Sequence, residues 1–469
     1  MQILKFIFIL LEVLFLFNIL IFVHELGHFL AAKWRGLKVE RFAIWFGKPI
    51  WKAKFRGVEY VLGCIPAGGY VSLPQMATME AIEGKTEASA EQLPPISPLD
   101  KIIVAIAGPI FSFGLAIVFA VVVCAVGRPV SQTETTTTVG YVVKDGPADK
   151  AGMKALDRIV EVDGYPVTKF AGIGSTVTWR IVRSEGETVS IKVMRRIGAT
   201  TNEEPVVLTA SPTHEKTKAW QRASLRKIQI APQQDVEVED VLTNSPAATA
   251  GLRKGDKVDK LNGEKIYSPS AIEDFVDKHS DQPVELSLDR EGKQMAISIK
   301  PAKPTNLKEA KPIIGVLWSP GKIKLHNPGV GEQIEGSLNA MFSTFGALFS
   351  RKSDIKAQHL GGAVKIVSVY YFLFENDDGW RMALWFSVLL NVNLAVLNML
   401  PFPVLDGGHI TLAILEVFRR RPVSPKLLQY VQTTCAVLLI GYMVYIAFYD
   451  VQDVIPSREP RFTPIQNTK

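Results

Sequence analysis

Residues 18–36 read NILIFVHELGHFLAAKWRG and complete a run, residues 6–32, that is almost entirely apolar. Three ionisable side chains, His24, Glu25 and His28, lie on two adjacent turns near the end of this run. Each ionisable group at the centre of a bilayer costs about 2.5–3.5 kcal/mol on insertion scales. Three together therefore indicate a function that compensates for this cost, and metal binding is such a function.

The stretch HELGH fits the pattern His-Glu-x-x-His. On a helix, residues four apart share a face, so His24 and His28 can direct their imidazoles at one point. A zinc ion takes such nitrogens at about 2.0–2.1 Å. Glu25 would lie beside the ion but outside its ligand shell, where a carboxylate can take a proton from water. A solvated helix of a soluble protein can carry the same pattern by chance, but the apolar surroundings argue against that here.

A catalytic zinc site needs a third protein ligand, and a second apolar stretch offers candidates. Residues 391–415 read NVNLAVLNMLPFPVLDGGHITLAIL, and Pro401 and Pro403 must break a helix there. Broken backbone at membrane depth is tolerated where it is buried in protein or lines a polar cavity. Asp406 follows the break and is the first choice as third ligand, with His409 second. Asp406 could instead cap the next helix, or do both.

Long apolar stretches flank a polar middle, which predicts a membrane protein. Four segments approach the ~20 residues that a bilayer requires: 6–32, 102–126, 382–405 and 427–449. Lys and Arg cluster in residues 33–56 and in the link after the third segment, at Arg419, Arg420, Arg421 and Lys426. Both loops should be cytoplasmic, with the N-terminus, polar middle and C-terminus outside. The formal net charge of +7 therefore fits membrane topology better than nucleic-acid binding.

The polar middle, residues 128–380, contains an internal repeat. VVKDGPADKAGMKALDRIVEVDGYPV (142–167) aligns without gaps with VLTNSPAATAGLRKGDKVDKLNGEKI (241–266). Each copy predicts a strand, a short helix, a turn, a second strand and a tight two-residue turn. The pair resembles tandem PDZ domains, which leave a sheet edge where an extended peptide can add as a strand. A role as spacers is the alternative.

HELGH, the stretch NMLPFPVLDGG (398–408) and the repeat between them resemble the site-2 protease family of intramembrane zinc metalloproteases over essentially the whole chain. The resemblance implies one Zn²⁺ per chain, with Glu25 as catalytic base. The implied zinc ligands are His24, His28 and Asp406. One departure is Ser112, where the family often has Asn in a GPxxN motif, and it puts a polar packing role at that position in doubt.

The resemblance also implies a way of binding substrate. Residues 59–73, EYVLGCIPAGGYVSL, would form a membrane-associated β-hairpin whose edge pairs with unwound substrate; a hairpin that only caps the site is the alternative. Asn398 would contact substrate or stabilise the reacting carbonyl. The candidate substrate-binding residues are Gly68, Gly69, Tyr70, Asn398 and Pro401.

We therefore expect a polytopic α-helical membrane protein with four transmembrane segments, tandem mixed α/β PDZ domains and a membrane-associated β-hairpin. Helices at 330–349 and 361–374 could lie at the membrane interface or in the core. The expected divisions are transmembrane segment 1 (1–32), a cytoplasmic loop with the hairpin (33–99), segment 2 (100–127), PDZ domains (128–220 and 221–302), a linker with the interfacial helices (303–381), segment 3 with LDGG (382–418), segment 4 (427–449) and a tail (450–469).

The implied activity is hydrolysis of a peptide bond within or near the transmembrane segment of a single-pass protein in the bacterial inner membrane. The implied substrate is an anti-sigma factor already trimmed by another protease, in regulated intramembrane proteolysis of the envelope stress response; signal-peptide remnants are a second class. The PDZ domains would be periplasmic and the active site towards the cytoplasmic side. Alternatives are a PDZ scaffold without protease activity, or a metal transporter. The complete motif set argues against the first, and two uncharged segments against the second.

Overall fold

The computed structural model describes residues 2–76, 96–172, 174–197, 202–306, 310–376, 378–420, 423–454 and 460. The chain forms two compact units. The first, the membrane unit, comprises Met1–Arg128, Asn327–Met341 and Gly361–Val451. The second, the polar unit, comprises Pro129–His326, Phe342–Leu360 and Gln452–Lys469.

The helices of the described residues are α1 (Gln2–Trp34), α2 (Pro98–Val126), α3 (Pro147–Lys150), α4 (Val177–Arg183), α5 (Pro246–Thr249), α6 (Ser270–Lys278), α7 (Val330–Phe349), α8 (Ala363–Phe374), α9 (Gly379–Asn398), α10 (Asp406–Arg419) and α11 (Pro425–Val454). The strands are β1 (Arg41–Phe46), β2 (Trp51–Phe55), β3 (Val58–Leu62), β4 (Ile65–Ser72), β5 (Arg128–Val130), β6 (Val139–Val142), β7 (Arg158–Val162), β8 (Tyr165–Pro166), β9 (Val189–Arg196), β10 (Glu203–Ala210), β11 (Ile230–Pro232), β12 (Val238–Val241), β13 (Lys257–Leu261), β14 (Glu264–Lys265), β15 (Val284–Arg290), β16 (Lys293–Ile299), β17 (Val316–Trp318) and β18 (Lys324–His326).

Four helices are long and apolar enough to cross a membrane, which confirms the expected spans: Leu4–Trp34, Pro98–Val126, Gly379–Asn398 and Lys426–Val454. The third span ends at Asn398 rather than at 405, and the LDGG stretch opens a separate helix, α10. The cause is the predicted break. Pro401 and Pro403 have no backbone N–H and therefore cannot continue the hydrogen bonds of α9. The expected single segment 382–418 is therefore two helices joined by a turn.

Helix α8 and the first half of α7 pack against the spans, which favours a core position over an interfacial one. Tyr370 of α8 is fully buried beside α1 and α9, and its hydroxyl lies 2.7 Å from Ser387 Oγ of α9. Ile334 and Leu338 of α7 pack against a buried cluster that includes Ala116 of α2 and Val388 of α9. These contacts remove apolar side chains from water or lipid headgroups and hold α8 and the first half of α7 in the membrane unit.

Residues 59–73 do not form the predicted hairpin. β3 and β4 lie on either side of β1 in a four-stranded sheet of order β2-β3-β1-β4, so they do not pair with each other. The hairpin is one strand earlier, between β2 and β3, where Arg56 (φ 48°) and Gly57 (φ 81°) make the two-residue turn with positive φ that suits a β-hairpin. Gly63 lies so close to the backbone of Phe46 that a Cβ at this position would have no room.

The repeat of the polar unit is visible as two copies with the same order of elements. Both four-stranded sheets have one topology, β8-β7-β9-β10 in the first copy and β14-β13-β15-β16 in the second. The predicted tight turns are present at residues 163–164 and 262–263, where all four residues have positive φ. The strands β11 and β17 lie beyond the predicted boundaries at 220 and 302. They pair back with β6 and β12, the first strands of their copies.

A buried ion pair recurs at the same place in both copies. Asp157 accepts hydrogen bonds of 2.7 and 2.6 Å from Arg195, and Asp256 accepts two of 2.7 Å from Arg290. Each arginine also donates to the carbonyl of the glycine that ends the short-helix turn, Gly152 or Gly251. Burial alone would raise the pKa of Asp256, but the hydrogen bonds from Arg290 and from a backbone N–H outweigh it and lower this pKa. The carboxylate therefore stays ionised at neutral pH.

Replacing Asp256 by Ala should destabilise the second copy by about 3 kcal/mol, because Arg290 would lose its buried partner. In the full-length protein, hydrogen exchange read by mass spectrometry should become faster in β13 and β15 and stay unchanged in β7 and β9. Lys254→Gln, which removes the exposed pair with Glu239, is the control and should change neither copy. Unchanged exchange in the second copy of Asp256→Ala would contradict a stabilising role of the pair.

Candidate active site

The two histidines of HELGH lie on one face of α1 and meet, as their spacing predicts. Their Nε2 atoms are 3.3 Å apart, and both His24 and Glu25 are 9% exposed. Helix α2 packs closely against α1 at this point, and two glycines permit the close approach. A Cβ on Gly27 would contact the Ala107 carbonyl oxygen at 2.5 Å, and a Cβ on Gly108 would collide with the His28 imidazole. The two glycines therefore allow α2 to pack directly against α1 and the His28 ring.

Asp406, the first choice for a third ligand, joins the two histidines. Its Oδ2 lies 3.3 Å from His24 Nε2, and its Oδ1 lies 3.4 Å from His28 Nε2. The helix-capping alternative does not describe its position, because Leu405 is the N-cap residue of α10 and Asp406 opens the first turn. Gly407 sits against the carbonyls of Met399 and Leu400, where a side chain has no room. The tight break after α9 thereby brings the carboxylate to the imidazoles.

The donor atoms fit a zinc ion. Atoms bound to zinc at 2.0–2.1 Å with tetrahedral angles lie about 3.3 Å apart. The two Nε2 atoms are 3.3 Å apart, and each lies 3.3–3.4 Å from a different oxygen of Asp406. One donor atom from each of the three residues lies within 4.8 Å of the other two. Asp406 Oδ2 is buried and has no hydrogen-bond partner among the described residues. Of the described His, Cys, Asp and Glu residues, only His24, His28 and Asp406 form a group able to hold a metal ion. His409, the second choice, lines the neighbouring cavity but is outside this group.

The outer ring nitrogens of both histidines are held by α2. His28 Nδ1 lies 2.8 Å from the Val104 carbonyl oxygen, which can only accept, so Nδ1 carries the proton and Nε2 presents its lone pair. His24 Nδ1 lies 2.9 Å from Ser112 Oγ, which is fully buried. Such partners orient metal-binding histidines. The sequence alone left the role of Ser112 open. Its place in the stretch GPIFS, four residues after Gly108, was the available signal.

A cavity of about 590 Å³ opens beside the three residues. Its walls are mostly apolar and come from α1, β1, β4, α2, α9, α10 and α11. Besides the three residues of the cluster, its polar side chains include Glu25, Tyr70, Asn398 and His409. Of the predicted substrate-binding residues, Gly68, Gly69, Tyr70 and Asn398 line the cavity. Pro401 is exposed and is not part of its wall.

Strand β4 lies against Glu25 in the cavity wall. A Cβ on Gly69 would lie 2.9 Å from Glu25 Cγ, so glycine is needed for this approach. Tyr70 stacks on Phe46 with the ring planes 3° apart, and Arg41 donates to its hydroxyl at 3.3 Å. β4 is the last strand of its sheet, so its outer backbone edge has no strand neighbour among the described residues.

The geometry matches what comparison with known proteins finds. The model of a family described as Peptidase family M50 matches residues 12–442. This chain belongs to peptidase family M50. The M50 membership confirms the expected resemblance to site-2 proteases and makes the chain a zinc metalloprotease. We also expected similarity to the bacterial regulator of sigma-E protease, and relatives with that name are among the matches.

Curated relatives match this M50 chain over most of its length. A putative zinc metalloprotease of Pasteurella multocida is 27% identical over 453 residues, covering 92% of this chain and 96% of the relative. The regulator of sigma-E protease RseP of Salmonella typhimurium is 26% identical over 453 residues with the same coverage. Protease RseP of Yersinia pestis is 28% identical over 464 residues, again covering 92% and 96%.

Replacing Ser112 by Ala should weaken zinc binding by about 10- to 100-fold, because His24 would lose the partner that orients its ring. Chelator competition on the purified protein measures this affinity. Ser337→Ala is the control, since Ser337 is also buried in a helix of the membrane unit but bonds only to Gln333 of its own helix. Equal zinc affinity of Ser112→Ala and wild type would show that the serine does not orient His24.

Proposed function

We propose that this metalloprotease cleaves a peptide bond within or near the transmembrane segment of a single-pass membrane protein. The observation that carries the proposal is the position of the ligand cluster. His24 and His28 lie inside the span Leu4–Trp34, and Asp406 lies directly after the break that ends the span Gly379–Asn398. A protease whose chemistry is built into apolar helices suits a substrate that is itself in the membrane.

We assign zinc binding to His24, His28 and Asp406, and the catalytic proton transfers to Glu25. Bound zinc polarises a peptide carbonyl and makes water more acidic. Glu25 follows His24 on the same helix and faces the cavity. Its carboxylate takes a proton from the attacking water and then delivers it to the leaving amine nitrogen. Its low exposure keeps competing bulk water away from this transfer.

Substrate backbone is proposed to bind along β4. A transmembrane helix shields its peptide carbonyls, so the scissile segment must be extended before water can attack. The free edge of β4 offers unpaired N–H and C=O groups that an extended segment can satisfy by strand addition. At Gly69 one face of this strand lies against Glu25, and Asn398 faces the same cavity. The free edge comes from a four-stranded sheet rather than from a hairpin, but the physical basis of the proposal is unchanged.

The cluster of Lys and Arg in residues 33–56 supports an orientation with that loop in the cytoplasm. The site, on the helix that leads into this loop, would then lie towards the cytoplasmic side of a bacterial inner membrane. Relatives named regulator of sigma-E protease support an anti-sigma factor as substrate, in regulated intramembrane proteolysis.

We propose that the two copies in the polar unit are periplasmic PDZ domains that filter substrates by size. Their shared topology and their recurring ion pair support rigid, folded modules rather than a flexible linker. Only substrates already trimmed by another protease would then reach the site.

Glu25→Gln should abolish cleavage while zinc content and fold are retained, because only the proton acceptor is lost. Co-expression with candidate single-pass substrates, with cleavage read on a gel and zinc measured by elemental analysis, tests this. His24→Ala should instead lose the metal as well. Cleavage by Glu25→Gln at the wild-type rate would overturn the assignment of the base.

Replacing residues 131–323 by a short Gly/Ser linker should allow untrimmed substrates to be cut. The flanking strands β5 and β18 pair with each other, so a short linker can join them. The same deletion carrying Glu25→Gln is the control for other proteases in the cell. If the deletion variant cuts trimmed substrates and still leaves intact ones uncut, the filter proposal is wrong.

A further inference from the structure

The first turn of α2 carries two adjacent side chains of opposite charge, and each contacts a different element of the membrane unit. Asp100 Oδ1 accepts a 2.6 Å hydrogen bond from Arg35 Nε, directly after α1. Lys101 Nζ donates at 2.7 Å to Glu416 Oε2, near the end of α10. The two residues thus connect α2 to both helices that carry the proposed zinc ligands.

The Lys101–Glu416 pair differs from ordinary surface pairs, which contribute little to stability. The Arg35–Asp100 pair is more exposed, with 35% of the Arg35 side chain accessible. Lys101 and Glu416 are only 24% and 17% exposed at their side chains and join segments more than 300 residues apart. Ser97 also holds Asp100 in place. Its hydroxyl donates to the other carboxylate oxygen of Asp100 at 2.7 Å, and its Oγ caps α2 by accepting from the Asp100 N–H. Both pairs therefore have partners that are fixed by the fold.

Helix α2 also holds the imidazoles themselves. The Val104 carbonyl contacts His28 one turn after Lys101, and Ser112 contacts His24 two turns further on. Among the described residues, no hydrogen bond or ion pair joins α2 to Asp406. Helix α10, which carries Asp406, follows a break in the backbone after α9, so α9 alone does not fix its direction. Glu416 lies ten residues after Asp406, about 15 Å along α10, and is the only other carboxylate of that helix.

We propose that Asp100 and Lys101 are positioning residues that form a clamp. One arm, Asp100–Arg35, fixes the end of α1 on α2, and the other, Lys101–Glu416, fixes α10 on α2. The clamp sets the distance between the histidine pair and Asp406, and thereby how tightly zinc is held. It rests on the proposed zinc ligands, because it acts only through them.

The test measures zinc release from purified full-length protein to an excess of chelator. Lys101→Gln should release zinc about tenfold faster than wild type. Tenfold is the lower end of the loss in metal affinity that follows removal of the groups that orient metal ligands. Arg35→Gln should also accelerate release. Lys38→Gln is the matched control, because it removes the same charge from an exposed pair, Lys38–Glu40, that joins no helices. It should release zinc at the wild-type rate.

Charge reversal separates positioning from general stability. Lys101→Glu alone should release zinc faster. Adding Glu416→Lys should restore the rate to within about twofold of wild type, because the ion pair is re-formed with its two charges exchanged. In the Co²⁺-substituted protein, the d–d absorption should change in Lys101→Gln and return in the reversed pair. Should Lys101→Gln fail to fold, the reversed pair decides: folding with wild-type zinc release supports the clamp, and failure to hold zinc overturns it.

Ligand variants keep the two proposals distinguishable. If His24→Ala retains zinc, the ligand assignment and the clamp are both wrong. If His24→Ala loses zinc while Lys101→Gln releases it at the wild-type rate, the clamp alone is wrong. If the reversed pair folds but does not recover slow release, the clamp is likewise overturned.

Discussion

The structure depends on one constraint: ionisable side chains inside apolar helices must find partners within the protein, because lipid offers none. The carboxylate of Asp406 lies 3.3–3.4 Å from both imidazoles, and this contact joins the first span to the helix after the third. Everything close to it serves that contact. Gly27 and Gly108 let α2 approach, and α2 then supplies partners for both outer ring nitrogens.

The break between α9 and α10 connects this contact to the proposed substrate-binding cavity. It delivers Asp406 to the histidines and at the same time leaves Asn398, the last residue of α9, facing the cavity. Gly69 of β4, which lines the same cavity, lets this strand lie against Glu25. The groups that we propose for proton transfer, metal binding and backbone recognition thus line one mostly apolar cavity, as cleavage of a membrane-embedded peptide would require.

The parts of this arrangement that depend on local sequence could be predicted. Helical spacing places His24 over His28, prolines end α9, and positive-φ pairs make the tight turns of both copies. What could not be predicted depends on contacts between distant residues. The insertion of β1 between β3 and β4, and the return of β11 to β6, are choices of strand partner that no short stretch encodes. The contact between Ser112 and His24 likewise depends on how two helices pack.

The central claim is that two separate apolar segments together hold one zinc ion. Zinc K-edge X-ray absorption of the purified full-length protein tests it most directly. The account predicts one zinc per chain with only nitrogen and oxygen neighbours at about 2.0–2.1 Å, including the outer-shell scattering of two imidazoles, and loss of an oxygen neighbour in Asp406→Ala. Protein without zinc, a sulfur neighbour at about 2.3 Å, or an Asp406→Ala spectrum identical to wild type would contradict it.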